Sequence, residues 1–132
     1  MPISPLAKKL QINPGSRAGL VNPPDGYAER LRPLPDRAEI VGGLTPELDF
    51  VQIFARSIEE LDRLGPAAFA AVKRDGLLWV SYPKGGVKAG TDLNRDILWN
   101  RLGDRGLTGV TLVAIDETWS AMRFRPSDKV GQ

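Results

Sequence analysis

The chain has neither cysteine nor histidine, so any chemistry must come from carboxylates, lysine, tyrosine, serine and asparagine. Their absence excludes thiol nucleophiles, disulfides, imidazole bases, Cys/His zinc sites and every Ser-His-Asp arrangement. Two segments concentrate what remains. In Pro83-Lys84-Gly85-Gly86-Val87-Lys88-Ala89-Gly90-Thr91, two lysines and three glycines lie between an apolar run and a helical pattern. Free amides and the positive end of a helix can receive an anion at such a place. The order differs from a Walker loop, in which Lys follows the last Gly and directly precedes Ser or Thr; here Lys88 comes before Gly90. The plainer reading is a solvated loop with Thr91 or Asp92 as an ordinary helix cap. In the second segment, Ile115-Asp116-Glu117-Thr118-Trp119-Ser120, two carboxylates stand beside an aromatic wall and a hydroxyl donor.

For these segments to meet, the elements carrying them must end at one edge. The apolar runs 77–82 (Leu77, Leu78, Trp79, Val80, Ser81, Tyr82) and 49–55, with Gln52 as the only interior interruption of the latter, predict buried strands. Weaker strands are predicted over 17–22, stopped by Pro23-Pro24, and over 38–41, bounded by Gly42-Gly43. A strand over 109–115 is followed by 118–125, whose alternation predicts a half-buried antiparallel strand. Ser4 caps a short amino-terminal helix that serves as a lid, and a brief helix covers 25–32. The capping box Ser57-Ile58-Glu59-Glu60 starts another helix, which Gly65-Pro66 ends while starting the next. Leu93, Ile97, Leu98 and Leu102 form the inner stripe of a last helix. Trp79 and Trp99 are read as core residues, and residues 126–132 as a frayed tail.

Strands alternating with helices imply right-handed crossovers and a mostly parallel sheet, with the last two strands joined too tightly for a crossover and hence antiparallel. The expected fold is a single α/β domain over 1–132, a three-layer Rossmann-like sheet with a C-terminal antiparallel hairpin. Open sheets of this kind bind ligands beyond the carboxyl ends of their strands. The candidate ligand-binding residues at that rim are Asn22, Arg56, Ser57, Lys84, Gly85, Gly86, Lys88, Thr91, Asp116, Glu117, Trp119 and Ser120. Alternatively, Lys84 pairs with Asp116 or Glu117 to hold its loop down while Trp119 caps the core. No catalytic residue and no metal ligand is assigned.

The series of strands and helices through "DFVQIFA", "KRDGLLWVSYPK" and "VTLVAIDETWSAMRF" is similar to the later half of the methyltransferase version of the Rossmann fold. Over nearly its whole length the chain resembles an uncharacterised bacterial family, through "LQINPGSRAGLVNPPDGY", "DGLLWVSYPK", "TDLNRDILW" and "IDETWSAMRF". That resemblance implies the fold and no activity, substrate or catalytic residue. Asn22-Pro23-Pro24 is similar to the Asn-Pro-Pro-aromatic motif of amino-group methyltransferases, yet only 21 residues precede it and Tyr27 stands three positions after Pro24, beyond the place of the motif's aromatic. We read it as a strand terminator ahead of a helix. Methyltransferases follow their first strand with an acidic residue and a Gly-rich turn for S-adenosylmethionine, and their second with a carboxylate for the ribose. The ends Val21-Asn22-Pro23-Pro24 and Gly42-Gly43 show neither.

Eighteen Lys and Arg against sixteen Asp and Glu leave a net charge of +2, too small an excess to imply a nucleic-acid face. No segment approaches the ~18 apolar residues of a membrane span, and the amino terminus lacks a basic region before an apolar core. A soluble cytoplasmic protein is expected, with no nucleic-acid or membrane partner. The reading that results is a non-catalytic binding or regulatory module for a small anionic ligand, with no cofactor. The alternatives are a cryptic S-adenosylmethionine-dependent methyltransferase and a homo-oligomeric interaction domain.

Overall fold

The computed structural model describes residues 3–130. Its elements, in chain order, are α1 (Pro5–Lys9), β1 (Arg17–Val21), α2 (Tyr27–Arg30), β2 (Glu39–Ile40), β3 (Leu48–Phe54), α3 (Ile58–Ala71), β4 (Val72–Pro83), α4 (Arg95–Gly103), β5 (Leu107–Ala114) and β6 (Trp119–Pro126). They build one six-stranded mixed sheet in the order β2-β1-β3-β4-β6-β5. β1 pairs in parallel with β2 and β3, and β3 with β4. β6 runs antiparallel to both β4 and β5 and lies between them. β1 to β5 therefore point the same way, and their carboxyl ends share one rim with the start of β6.

The continuous apolar runs of β3 and β4 have a simple cause: both faces are covered, so neither parity of residue meets water. Val51, Ile53, Leu78, Val80, Met122 and Phe124 join Leu61 and Ala68 of α3 and Leu98 and Leu102 of α4 in one buried cluster. The intervening residues Phe50, Phe54, Leu77, Trp79 and Ala121 join Ala7, Leu10, Tyr27 and Leu31 in a second. This alternation is the period of two of a strand. It also corrects the half-buried reading of β6, whose Trp119, Ala121, Met122 and Phe124 are all buried.

Several expectations fail for identifiable reasons. α3 runs unbroken through Pro66. Leu61, Gly65, Ala68 and Ala71 form a single buried stripe across that residue, and its packing on the sheet outweighs the ~3 kcal/mol an interior proline costs. β4 begins at Val72, five residues before its expected start. The left-handed Asp75 (φ +58°) and the adjacent Gly76 accommodate a bulge against β3. The segment expected to be a lid is core: Ala7 and Leu10 are fully buried, and Trp79 Nε1 donates to the Leu10 carbonyl at 3.1 Å. Ser4 does cap α1, accepting from the Ala7 amide at 3.4 Å. Trp79 is core, but Trp99 is 48% exposed, lying over Gly109 at the sheet edge.

The tail is also held. The Ser127 amide donates to the Gly106 carbonyl at 2.8 Å, and Arg74 pairs with Asp128. The end of the expected frayed segment, residues 131–132, lies outside the described residues. Among the described residues no helix is long and apolar enough to cross a membrane.

Candidate functional site

At the carboxyl rim the chain leaves β3 through Ala55 and places Arg56 over the ring of Trp119, with the guanidinium carbon 5.0 Å from the ring centroid. Trp119 itself is only 4% exposed. It stands edge-on to Phe54 (centroids 5.1 Å apart), which meets Tyr27 edge-on in turn (4.6 Å). Trp119 is thus a core residue with one face offered to the rim, and that face orients Arg56. Lys84 enters from β4, its amide donating to the Thr118 carbonyl at 2.8 Å. Thr91 Oγ1 donates to the Arg56 carbonyl at 2.6 Å. These two bonds tie three loops around a cleft of about 380 Å³ lined by Arg56, Lys84, Gly90, Glu117, Thr118 and Trp119.

Cations outnumber carboxylates in the cleft lining, Arg56 and Lys84 against Glu117. Among the described residues, Arg56, Lys84 and Lys88 form no ion pair. The expected Lys84 pairing with Asp116 or Glu117 is absent, because Asp116 is engaged elsewhere. Arg30 donates to its Oδ2 at 2.9 Å, while its Oδ1 accepts from the Thr118 and Trp119 amides at 2.8 Å each. Burial pushes the Asp116 carboxyl up, but the Trp119 and Thr118 amides and Arg30 together hold it below the usual carboxylate range. It is a turn-former, and Glu117 is the carboxylate left at the mouth.

The expected cap of α4 is corrected. Neither Thr91 nor Asp92 caps α4; Asn94 does, accepting from the Ile97 amide at 2.9 Å. Asp92 instead accepts from the Ile58 amide of α3 at 2.8 Å, and Ser57 accepts from the Glu60 amide at 3.1 Å. The Ile58, Glu60 and Ile97 amides, one or two in the first turn of each helix, are thus already bonded to side chains. Gly85 (φ +92°), Gly86 (φ +53°) and Gly90 (φ +77°) all adopt left-handed backbone around a 3₁₀ turn over Gly86–Ala89. Their role is to fold the loop tightly. Lys88 projects from that turn and is exposed.

Asn22 reaches the same rim and is used there. It is left-handed (φ +57°), and its Nδ2 donates to the Phe54 carbonyl at 3.0 Å and to Glu60 Oε1 at 3.4 Å. It therefore splices β1 to β3 and α3 and does not line the cleft. Ser120 lies in the β6 ladder opposite Tyr82 and Ala114, also outside the lining. Of the twelve candidates, Arg56, Lys84, Glu117 and Trp119 converge on the cleft. Thr91 buttresses it.

Sequence reasoning missed the buried polar chain beneath. Tyr27 donates to Gln52 Oε1 at 2.9 Å, and Gln52 Nε2 donates to Ser81 Oγ at 2.9 Å, with Gln52 and Ser81 fully buried. The signal was Gln52, the lone polar residue inside an apolar strand. Burial pushes the Tyr27 phenol up to about 12, against smaller lowering by its bond to Gln52 and by Arg30. Among the described residues no group of three or more carboxylates is gathered closely enough to hold a metal ion.

No family model and no curated protein matches this chain, so membership of the uncharacterised bacterial family finds no support there. Solved structures do match. One is phosphoethanolamine N-methyltransferase 2 of Haemonchus contortus in complex with phosphomonomethylethanolamine and S-adenosylhomocysteine (TM-score 0.57, 12% identity, 92% of this chain and 38% of that one). Another is the same enzyme in complex with S-adenosyl-L-methionine (TM-score 0.52, 12% identity, 99% and 40%). The chain spans about two fifths of the length of these enzymes. At such identity the likeness concerns architecture, and what it establishes is a mixed α/β sheet of the methyltransferase-like, Rossmann-like kind.

Proposed function

We propose that this chain is a three-layer Rossmann-like domain, closed by a C-terminal antiparallel hairpin, that binds a small anionic ligand in the carboxyl-rim cleft without catalysing a reaction. The observation that carries this reading is the pair of cations facing one cleft, Arg56 and Lys84, with no carboxylate bonded to either among the described residues. Arg56 stacked on Trp119 keeps its fork of donors free at the edge, a geometry suited to a carboxylate or phosphate. Lys84 adds a point charge, and Glu117 can accept from a hydroxyl of the same ligand. Each charge-assisted hydrogen bond contributes about 1.5–3 kcal/mol, so two such bonds support a ligand of modest affinity.

The fold favours a second reading, an S-adenosylmethionine-dependent methyltransferase. The residues at the end of β1 do not fit that cofactor. Pro23 and Pro24 have no amide hydrogen to offer, and the Asn22 side chain is already bonded to Phe54 and Glu60. Past the end of β2, Val41-Gly42-Gly43 supplies no carboxylate.

Thermal melting with inorganic phosphate, acetate, S-adenosylmethionine and S-adenosylhomocysteine separates the two readings. A saturable rise with phosphate or acetate, abolished by Arg56→Ala with Lys84→Ala, is expected. Neither side chain forms an ion pair, and Arg56→Ala removes a contact with Trp119 worth about 0.5–1 kcal/mol, so the ligand-free melting point of that double variant should fall by no more than about 4 °C. A rise only with the two adenosyl compounds would replace this reading by the methyltransferase, and no rise with any of the four would remove both.

A further inference from the structure

The opposite rim of the sheet holds a second cleft, of about 400 Å³, at the amino ends of β1, β3 and β4. Gln11, Ser16, Asp49, Lys73, Asp75 and Arg123 contribute to its walls, and Leu77 lies at its base beside the buried cluster of the α1 face. Two of its carboxylates are already paired. Asp49 accepts from Lys73 Nζ at 2.6 Å and from the Arg17 amide at 2.9 Å. Both oxygens of Asp75 accept from Arg125, at 2.8 Å each.

Arg123 is the cation left over. It makes no ion pair among the described residues, and its one side-chain hydrogen bond is a long one, Nη1 to Gln11 Oε1 at 3.3 Å. Its Nε is buried with no partner, the only side-chain nitrogen or oxygen among the described residues in that condition. Folded interiors rarely leave such a donor unmet, and an unmet one asks for a missing acceptor. Burial, and then the like charge of Arg125, push the Arg123 guanidinium down, which an incoming anion would relieve.

We propose that this amino-rim cleft is a second binding site, which takes the carboxylate of a small organic molecule on the guanidinium of Arg123. A carboxylate matches the Nε and Nη edge of the fork with two parallel bonds. A phosphate dianion suits the cleft less well, because Asp49 and Asp75 line it and one unpaired cation balances one negative charge. Gln11, Asn13 and Ser16 on the same walls can hydrogen-bond hydroxyls elsewhere on the molecule. Engaging Nε requires the side chain to shift outward, and the bond to Gln11 is weak enough to be exchanged.

The test uses the ¹⁵N-labelled full chain and its arginine Nε–H signals, titrated with glycolate at constant ionic strength maintained with chloride. The Arg123 Nε–H signal and the backbone amides of Gln11, Ser16 and Gly76 should shift together and saturate. Arg123→Gln should weaken that binding at least tenfold. Arg123→Lys, which preserves the charge and loses the fork, should weaken it at least threefold and serves if the first variant does not fold. Shifts that do not saturate, that persist unchanged in Arg123→Gln, or that are confined to residues 84–91 would overturn the proposal. Tighter binding of phosphate than of glycolate at Arg123 would overturn the assignment to a carboxylate.

Discussion

Replacing Tyr27 by Phe deletes one oxygen and leaves the ring's packing on Phe54 intact, so it isolates the buried polar chain. Gln52 Oε1 loses the phenol that donates to it at 2.9 Å, in a residue with no solvent exposure. An unmet buried acceptor of this kind costs about 1–3 kcal/mol. The pH dependence of that cost is a sharper test. The phenol's pKa stands at about 12 in the folded chain against 10.0 for an unperturbed tyrosine. A folded pKa raised in this way means that folding favours the neutral phenol. The stability it confers is present in full below pH 10 and is lost as the pH rises towards 12. At pH 11 the unfolded chain gains about tenfold in statistical weight from ionisation while the folded chain gains almost nothing, a difference of about 1.4 kcal/mol. Urea titrations at pH 9 and pH 11 should therefore show the Tyr27→Phe penalty shrinking by about that amount. Contributions common to the two proteins cancel in the difference. A penalty that is negligible at pH 9, or equal at the two pH values, would refute the account of Tyr27 as a buried donor to Gln52.

Two further outcomes test the packing and the loops. Gly109→Ala should cost about 1–3 kcal/mol in denaturant titrations, since an added Cβ would meet Met122 Sδ at 2.7 Å and Trp99 Cε3 at 2.9 Å; trimming the half-exposed Trp99 to Leu in the same chain should recover part of the loss. Asp92→Ala and Asn94→Ala should each cost about 1 kcal/mol. Hydrogen exchange should place the effect of the first on the amides at the start of α3 and of the second on those of α4, and the reverse assignment would contradict the capping described here.

The direction of the strands could be read from residue pattern alone, because Phe50-Val51 and Leu77-Leu78-Trp79-Val80 leave no polar face for solvent. With it came the rim at which Arg56, Lys84, Glu117 and Trp119 meet. What escaped the sequence depended on partners distant in the chain. Pro66 reads as a break until the sheet beneath α3 holds both halves of one stripe. Asp92 looks like the cap of the helix that follows it, and only the fold brings the Ile58 amide within 2.8 Å. Trp99 has the composition of a core residue, but its surroundings are an edge strand and a glycine. Asp116 was expected to face Lys84, and Arg30, eighty-six positions away, took it first.

β6 follows β5 in the chain yet sits between β5 and β4. A ribosome delivering this polypeptide thus exposes β5 before its sheet neighbour exists, and residues 107–114 must wait, dangling, for residues 119–126 to emerge and slide into the gap. Assembly order and synthesis order are inverted at this side of the molecule. A nascent chain arrested before residue 119 holds four strands joined and a fifth orphaned, an open flank to which a chaperone, or another nascent chain, would have access.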